Sequence, residues 1–392
     1  MAAPIRKAVR QVHLWMGLTL GALFVLLGLT GSALVFYQSI DRALHPEIQV
    51  AALGPAPDPA SPVWDRALAT LRAQWPERAG AWRFELTGEP GPIPVRYEMP
   101  GMGHGGHRTM VWLSPDGARV LREDVWGRYL MTWIYDLHME LLGGEAGRAI
   151  VGWSGLAIFA LIMVTGVWAW WPRNGGRGDW RKALRYASGA ALTRRLRDMH
   201  KLAGLIGLPL LGVLVITGVM LALPDESNAV LRPVFGPVDR PPKMSLMRDH
   251  GPRLPIAQAV AIAMHALPSA RIVWIEVPPV GQGVYKFRMK TAHDPSMRFP
   301  HSYVFVDPVD GHVMAVQNAD RAGPTTTINN WLHCLHDASV LGLFTRWLAV
   351  AMGLFPAFLF ITGLWRWMER RSSAQRRPTP GSRINSGLPA AD

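Results

Sequence analysis

His200-Lys-Leu-Ala-Gly-Leu-Ile-Gly-Leu-Pro-Leu-Leu-Gly-Val-Leu-Val-Ile-Thr-Gly218 is the stretch on which the fold turns. From Leu202 to Leu223 no residue carries a formal charge, and the run is near the ~20 apolar residues that a bilayer core requires. Three further blocks read the same way, at 12–37, 149–171 and 347–367. Their near-absence of charge separates them from amphipathic surface helices. Trp15, Tyr37, Trp153, Trp170, Trp171, Trp347 and Trp367 stand at their ends, where interfacial aromatics belong. The first block is too long for the roughly 7–15 residue apolar core of a secretory signal, and no small-x-small cleavage site follows it. Four membrane-spanning helices are therefore expected.

The net charge of +13 is not a nucleic-acid footprint, because of where it sits. Arg6, Lys7 and Arg10 precede the first block. Arg173, Arg177, Arg181, Lys182, Arg185, Arg194, Arg195, Arg197 and Lys201 fill the short connection between the second and third. Arg366, Arg370, Arg371, Arg376 and Arg377 close the fourth. All lie on one side of a four-span chain, so the positive-inside rule places both termini in the cytoplasm and the long loops outside, in the periplasm of a Gram-negative host. The single cysteine, Cys334, allows neither an intrachain disulfide nor a cysteine metal cluster.

The two long outer segments repeat each other. In the first, a Pro/Ala-rich linker at Gly54–Pro62 leads to a helical stretch, Val63–Gln74, and to strand-like runs at Trp82–Leu86, Val95–Met99, Met110–Leu113 and Arg119–Arg122. In the second, Pro233–Lys243 leads to Ile256–Ala266, then to Ile272–Val277, Tyr285–Met289, Ser302–Val306 and His312–Gln317. The turns Ser114-Pro-Asp-Gly117 and Asp307-Pro-Val-Asp-Gly311 correspond. Each segment reads as a small α+β domain. The spans repeat too: His13 lies 17 residues before Thr30-Gly31, and His200 lies 17 before Thr217-Gly218. Thr165-Gly-Val-Trp168 matches Thr362-Gly-Leu-Trp365, Trp133-x4-His138 matches Trp331-x4-His336, and Arg148 matches Arg346. An internal duplication of a helix–outer domain–helix unit follows, its copies related by an axis along the membrane normal. The expected divisions are a first membrane helix in 1–41, an outer domain in 42–128, an interfacial helix with the second span in 129–172 and a basic loop in 173–198. The third span in 199–223, a second outer domain in 224–327, an interfacial helix with the fourth span in 328–369 and a tail in 370–392 complete the chain.

Four of the 13 histidines, His13, His138, His200 and His336, hold duplicated positions at the membrane boundary. Ionisable groups there are costly and mark function. Two imidazoles facing each other without thiolates suit axial ligation of haem iron, giving an inner pair, His13 and His200, and an outer pair, His138 and His336. The absence of a C-x-x-C-H motif makes the haems non-covalent, b-type. Gly17, Gly21, Gly204 and Gly207 leave room for a flat macrocycle or a close helix, and Arg148 and Arg346 are candidate propionate partners. The bland alternative is interfacial histidines bonded to backbone beside small packing residues. Zinc is weaker, since no third ligand recurs. His333, one helical turn before His336, has no counterpart and reads as an alternative ligand, a substrate-side group or a haem-edge hydrogen-bond donor. Trp133 and Trp331 mark where a substrate approaches the outer haem edge. The run Met99-Pro-Gly-Met-Gly-His-Gly-Gly-His107 has copper-like Met/His chemistry, but glycine-rich connections are common loops.

Val12-His-Leu-Trp-Met-Gly-Leu18 with Leu29-Thr-Gly-Ser32, Asp136-Leu-His138 with Gly144-Glu-Ala-Gly-Arg148, and Arg195-Leu-Arg-Asp-Met-His-Lys201 resemble the PepSY-associated transmembrane-helix family. The resemblance spans nearly the whole chain and makes the outer segments PepSY-like domains. Within the family the chain is most similar to the ferric-siderophore reductases of the FoxB type. That resemblance implies an inner-membrane di-haem protein that reduces a ferric siderophore, of hydroxamate type for instance, in the periplasm. It supports His13, His138, His200 and His336 as ligands. Some relatives carry flavodoxin-like and ferredoxin-reductase-like domains after the helices. The chain runs only to Asp392, so none is expected here and the electron donor is an unidentified cytoplasmic or membrane partner. Two other functions compete: a membrane-anchored PepSY module that binds or inhibits a peptidase without a cofactor, and a metal transporter. The transporter ranks last because the span centres are almost wholly apolar, with Thr the main exception. No nucleotide-binding glycine motif follows a strand and opens a helix.

Overall fold

A backbone in hydrocarbon must satisfy its own hydrogen bonds, so each apolar block is a helix without a break into loop. The computed structural model describes residues 3–50, 55–99, 108–172, 176–240, 252–279, 281 and 283–375. Helix α1 (Ala3–Leu34) is the first span and is followed by α2 (Tyr37–Leu44) and α3 (Val63–Gln74). Strands β1 (Ala81–Glu85), β2 (Ile93–Glu98), β3 (Arg108–Leu113) and β4 (Val120–Val125) follow. Then come α4 (Leu130–Glu140) and the second span, made of α5 (Gly144–Ala157), a π-helical stretch at Ile158–Met163 and α6 (Val164–Trp170). A short α7 (Arg177–Ala183) leads to the third span, α8 (Leu192–Ala222), and to α9 (Pro224–Phe235). The second outer segment holds α10 (Ile256–Ala266), β5 (Arg271–Val277), β6 (Tyr285–Lys290), β7 (Ser302–Val306) and β8 (Val313–Gln317). Helix α11 (Pro324–His336) and the fourth span, α12 (Leu343–Gln375), complete the described chain.

Four helices are long and apolar enough to cross a membrane: Pro4–Leu34, Gly144–Trp170, Leu192–Ala222 and Leu343–Ser372. They close into a ring, α1 on α12, α12 on α8, α8 on α5, and α6 back on α1. The closest crossing joins α1 to α12. A Cβ on Gly28 would lie 2.4 Å from the Gly353 carbonyl oxygen, and one on Gly353 would lie 2.1 Å from Ser32 Oγ. Glycine at both positions is what lets these backbones touch. Ser32 Oγ fixes the crossing by donating to the Val350 carbonyl at 3.0 Å.

The two outer segments do not form two separate domains. Their strands make one eight-stranded antiparallel sheet in the order β4-β3-β2-β1-β5-β6-β7-β8. The seam is β1 against β5, with Arg83 opposite Glu276 and Phe84 opposite Ile275. Each four-stranded half alone would leave a bare edge strand, and pairing the two edges removes both. One core under α3 and α10 draws on both halves, including Trp64, Phe84, Val95, Tyr97, Ile256, Ile275, Tyr285 and Phe287. The helices are tied as well. Asp65 on α3 accepts from the Ile256 and Ala257 amides at 2.6 and 3.2 Å, capping the N-terminus of α10. The other sheet face turns toward α2 and α4. There Arg122, buried between Trp112 and Tyr129, pairs with Asp41 of α2 at 3.2 Å. The expected turns hold Gly117 at φ 71° and Gly311 at φ 77°, a region that glycine enters without penalty. Beyond Met99, the Met/His run with Met102, His104 and His107 lies outside the described residues.

Candidate functional site

Four imidazoles are held by one device used four times. His13 Nδ1 lies 3.0 Å from the Ile162 carbonyl and 3.2 Å from Thr165 Oγ1. His200 Nδ1 lies 3.0 Å from the Leu359 carbonyl and 3.1 Å from Thr362 Oγ1. His336 Nδ1 lies 3.0 Å from the Leu214 carbonyl and 3.1 Å from Thr217 Oγ1. His138 Nδ1 lies 2.9 Å from Thr30 Oγ1 and bonds the Leu27 carbonyl. In every case the carbonyl is three residues before the threonine. Each threonine spends its own proton on the carbonyl four residues back, of Leu26, Leu161, Val213 or Phe358. Its oxygen is left to accept. A carbonyl also only accepts, so the proton must sit on Nδ1, and Nε2 keeps its lone pair.

The glycine after each threonine completes the cradle. A Cβ on Gly31 would lie 3.0 Å from the His138 ring, on Gly166 3.1 Å from His13, on Gly218 2.8 Å from His336 and on Gly363 3.4 Å from His200. The repeated Thr-Gly pairs in the spans are therefore the seats of the histidines. Sequence repetition flags these pairs but not their purpose, because each seat lies on a different helix from the ring it holds.

The rings meet in twos. His13 and His200 have centroids 6.2 Å apart at an interplanar angle of 86°, and His138 and His336 are 6.1 Å apart at 42°. A metal–imidazole bond is about 2.0–2.1 Å, so two imidazoles on opposite sides of one metal put their centroids roughly 6 Å apart. Burial, then the neighbouring His336, pushes the His138 pKa down to about 4, and burial lowers that of His336. Neutral rings are the ligating form. Among the described residues no cluster of three or more His, Cys, Asp or Glu side chains is placed to hold a metal ion. Each pair could offer two ligands, the number an iron would need from the protein when a macrocycle supplies the rest. One turn beyond the inner histidines, a Cβ on Gly17 would meet nothing within 4 Å and one on Gly204 only Leu359 at 3.8 Å. Gly21 and Gly207 instead receive Phe360 and Phe355.

The remaining candidates are placed as follows. His333 turns away from the outer pair; its Nδ1 is 3.3 Å from Asp337 and its ring 5.7 Å from Phe299. Trp133 and Trp331 are exposed. Arg346 donates to the Val35 carbonyl and covers Phe36 at 4.7 Å, and Arg148 lies 4.0 Å from Glu145. Each arginine is instead occupied near its own span end. Arg96, Arg288 and Arg298, on strands and a strand connection of the sheet, surround Phe299, whose ring is 5.7 Å from that of His333 on α11. Only strand alternation at Arg96 and Arg288 hinted that they face away from the α3–α10 core.

Residues 10–370 match the family model described as the PepSY-associated TM region. An uncharacterized protein of Pseudomonas aeruginosa is 25% identical over 264 residues, covering 62% of this chain and 64% of its own length.

Proposed function

The chain belongs to the PepSY-associated transmembrane family, and from that premise we propose that it is a di-haem oxidoreductase of the inner membrane that reduces a ferric siderophore in the periplasm. The observation that carries this reading is the pairing of four imidazoles, each oriented by a carbonyl and a threonine, into two sets near 6 Å. His13 and His200 would hold an inner b-type haem, and His138 and His336 an outer one. When bound, the haems supply one-electron transfer from a cytoplasmic or membrane donor to the ferric chelate. The chain's own residues fix the ligand rings, set their tautomer and keep the sites apart. Helix α1 bears His13 and, 17 residues on, Thr30 under His138, an interval of about 25 Å along a helix. Two sites thus stack across one bilayer, with the Arg-rich loop and both termini on the donor side. Ferrous iron is the softer ion, so reduction weakens its hold on hard oxygen donors and no acid–base residue is required. On this reading the two halves are copies of one unit, and the FoxB-type reductases are a functional model for it.

The visible spectrum and haem content of the purified protein test the proposal. Two b-type haems per chain are expected. A ratio near zero would end the haem reading and favour a membrane-anchored peptidase-binding module. A ratio near one would remove one of the two sites.

A subtler result follows from the cradles. Thr217→Val deletes one of the two acceptors of His336 and leaves the Leu214 carbonyl. Groups that orient a metal ligand are worth about 10–100-fold in affinity, so Thr217→Val is expected to keep the outer haem with that much weaker retention. Unchanged retention would show that the carbonyl alone holds the ring.

A further inference from the structure

Three guanidinium groups converge on one aromatic ring on the face of the sheet away from α3 and α10. On β2, Val95 and Tyr97 enter the α3–α10 core, so Arg96 points the other way. On β6, Tyr285 and Phe287 do the same, so Arg288 also points away. Arg298 comes from the β6–β7 connection. The guanidinium carbons of Arg96, Arg288 and Arg298 lie 5.4, 5.7 and 5.1 Å from the centroid of Phe299. Arg96 also covers Trp274 at 4.5 Å.

Their negative partners fall short. Glu85 takes Arg298 in two bonds of 2.7 and 2.9 Å. Glu98 and Glu276 are held by Arg83 at 2.6 and 2.9 Å. Arg288 donates to the neutral Tyr303 hydroxyl, with Nε at 3.0 Å. Arg96 lies over aromatic rings and feels the charge of Glu85 that Arg298 already holds, and its buried Nε has no hydrogen-bond partner among the described residues. Burial, then the charge of Arg298, lowers its pKa to about 10, which still leaves it charged at neutral pH. Three cations therefore share one carboxylate. A buried cation without a counter-charge is destabilising unless a ligand supplies one.

The cluster adjoins both helices that carry the outer pair. The Phe299 ring is 5.7 Å from that of His333, one turn before His336 on α11. Tyr135, one turn before His138 on α4, lies in the field of Arg96, Arg108 and Arg298. Two uncompensated positive charges thus stand beside a site that, on the di-haem reading, takes a dianionic macrocycle.

We infer that Arg96 and Arg288, with Arg298 anchored by Glu85, form a carboxylate-binding site beside the outer histidine pair, and that it receives the propionates of the outer haem. This inference rests on the di-haem reading. The same chemistry would also hold carboxylates of an arriving ferric chelate, so the experiment separates the two sources. Full-length parent, Arg96→Gln and Arg96→Lys proteins are titrated electrochemically while both haems are followed by their visible bands. Transfer of haem to an acceptor protein and the KM for ferric citrate and for a ferric hydroxamate are measured alongside. Loss of a nearby positive charge favours the oxidised iron. Arg96→Gln should therefore lower the outer midpoint potential and speed release of the outer haem at least tenfold. The inner haem should be unmoved, and Arg96→Lys should recover most of the difference. The inner haem is the internal control for folding. A rise in KM for ferric citrate alone, with both potentials unchanged, would assign the same carboxylate site to the substrate. Unchanged potential, retention and ferric citrate KM in Arg96→Gln would overturn the inference, as would an equal shift of both haems. A parent without haem would end the underlying reading and this inference with it, and the first spectrum reveals that before any variant is made.

Discussion

His336→Ala is expected to abolish the outer haem and leave the inner one in place, whereas His333→Ala is expected to keep both. The two residues are one turn apart on α11 and differ in every physical respect that bears on ligation. His336 stands 6.1 Å from His138, with Nδ1 tied to the Leu214 carbonyl and its ring seated on Gly218. Removing it leaves its seat intact, because Thr217 still bonds the Val213 carbonyl at 2.7 Å. The loss is therefore of a ligand and not of the helix. His333 is half-exposed, paired with Asp337 and turned to Phe299. Haem content per chain and low-temperature visible spectra separate the variants. Reduction of a ferric hydroxamate by pre-reduced protein should cease in His336→Ala and only slow in His333→Ala. Loss of the outer bands from His333→Ala with retention in His336→Ala would reverse the assignment. Parent rates in both variants would move the substrate site away from this end.

Gly28→Val is expected to loosen the whole bundle and cost both haems. The new side chain would begin 2.4 Å from the Gly353 carbonyl oxygen and 3.1 Å from Pro356 Cγ. The first neighbour is backbone and cannot turn aside, so α1 must move off α12. Overpacking of this kind costs about 1–3 kcal/mol and occasionally more. In a membrane the cost has little to offset it, since close van der Waals packing is itself what associates the helices. The helix displaced carries His13 and the seat of His138, so both pairs are disturbed together. The measurement is thermal unfolding in detergent together with haem content. Gly178→Ala, whose Cβ meets nothing within 4 Å, serves as the control. A Gly28→Val protein as stable and as haem-loaded as that control would mean that the crossing is looser than described.

Much of the architecture is legible in residue order alone. Uncharged blocks such as Leu202–Leu223 leave few options besides a spanning helix, and period-two alternation in Tyr285–Met289 marks a strand. What alternation does not encode is which edge pairs with which. Nothing local in Ala81–Glu85 or Arg271–Val277 announces that these edges meet, so the residue order reads as two domains where one sheet stands. The histidines stand out because the sequence pattern around them recurs, and the Thr-Gly seats are visible as a pattern without a role. Arg148 and Arg346 stand at the span openings, which makes them candidates, but guanidinium contacts are decided by tertiary packing. The pairing of His336 rather than His333 has a simpler origin. Three residues of helix leave the two side chains about 60° apart around the axis, enough to send one to the bundle and the other to Phe299.

The four histidine ties have a mechanical consequence. Each runs between different elements: α1 to the second span, α4 to α1, α8 to α12 and α11 to α8. In hydrocarbon no water can take over a broken polar bond. Sliding any of these elements by a turn, about 5.4 Å, would strand a buried N–H and lift a ring from its glycine. The ties therefore act as pins that fix the vertical register of the bundle, and two of them clamp the outer helices to the spans beneath. A rocking motion needs joints that can slip, and these ties oppose it. On the di-haem reading, electrons would cross between the two ends while the helices stand still.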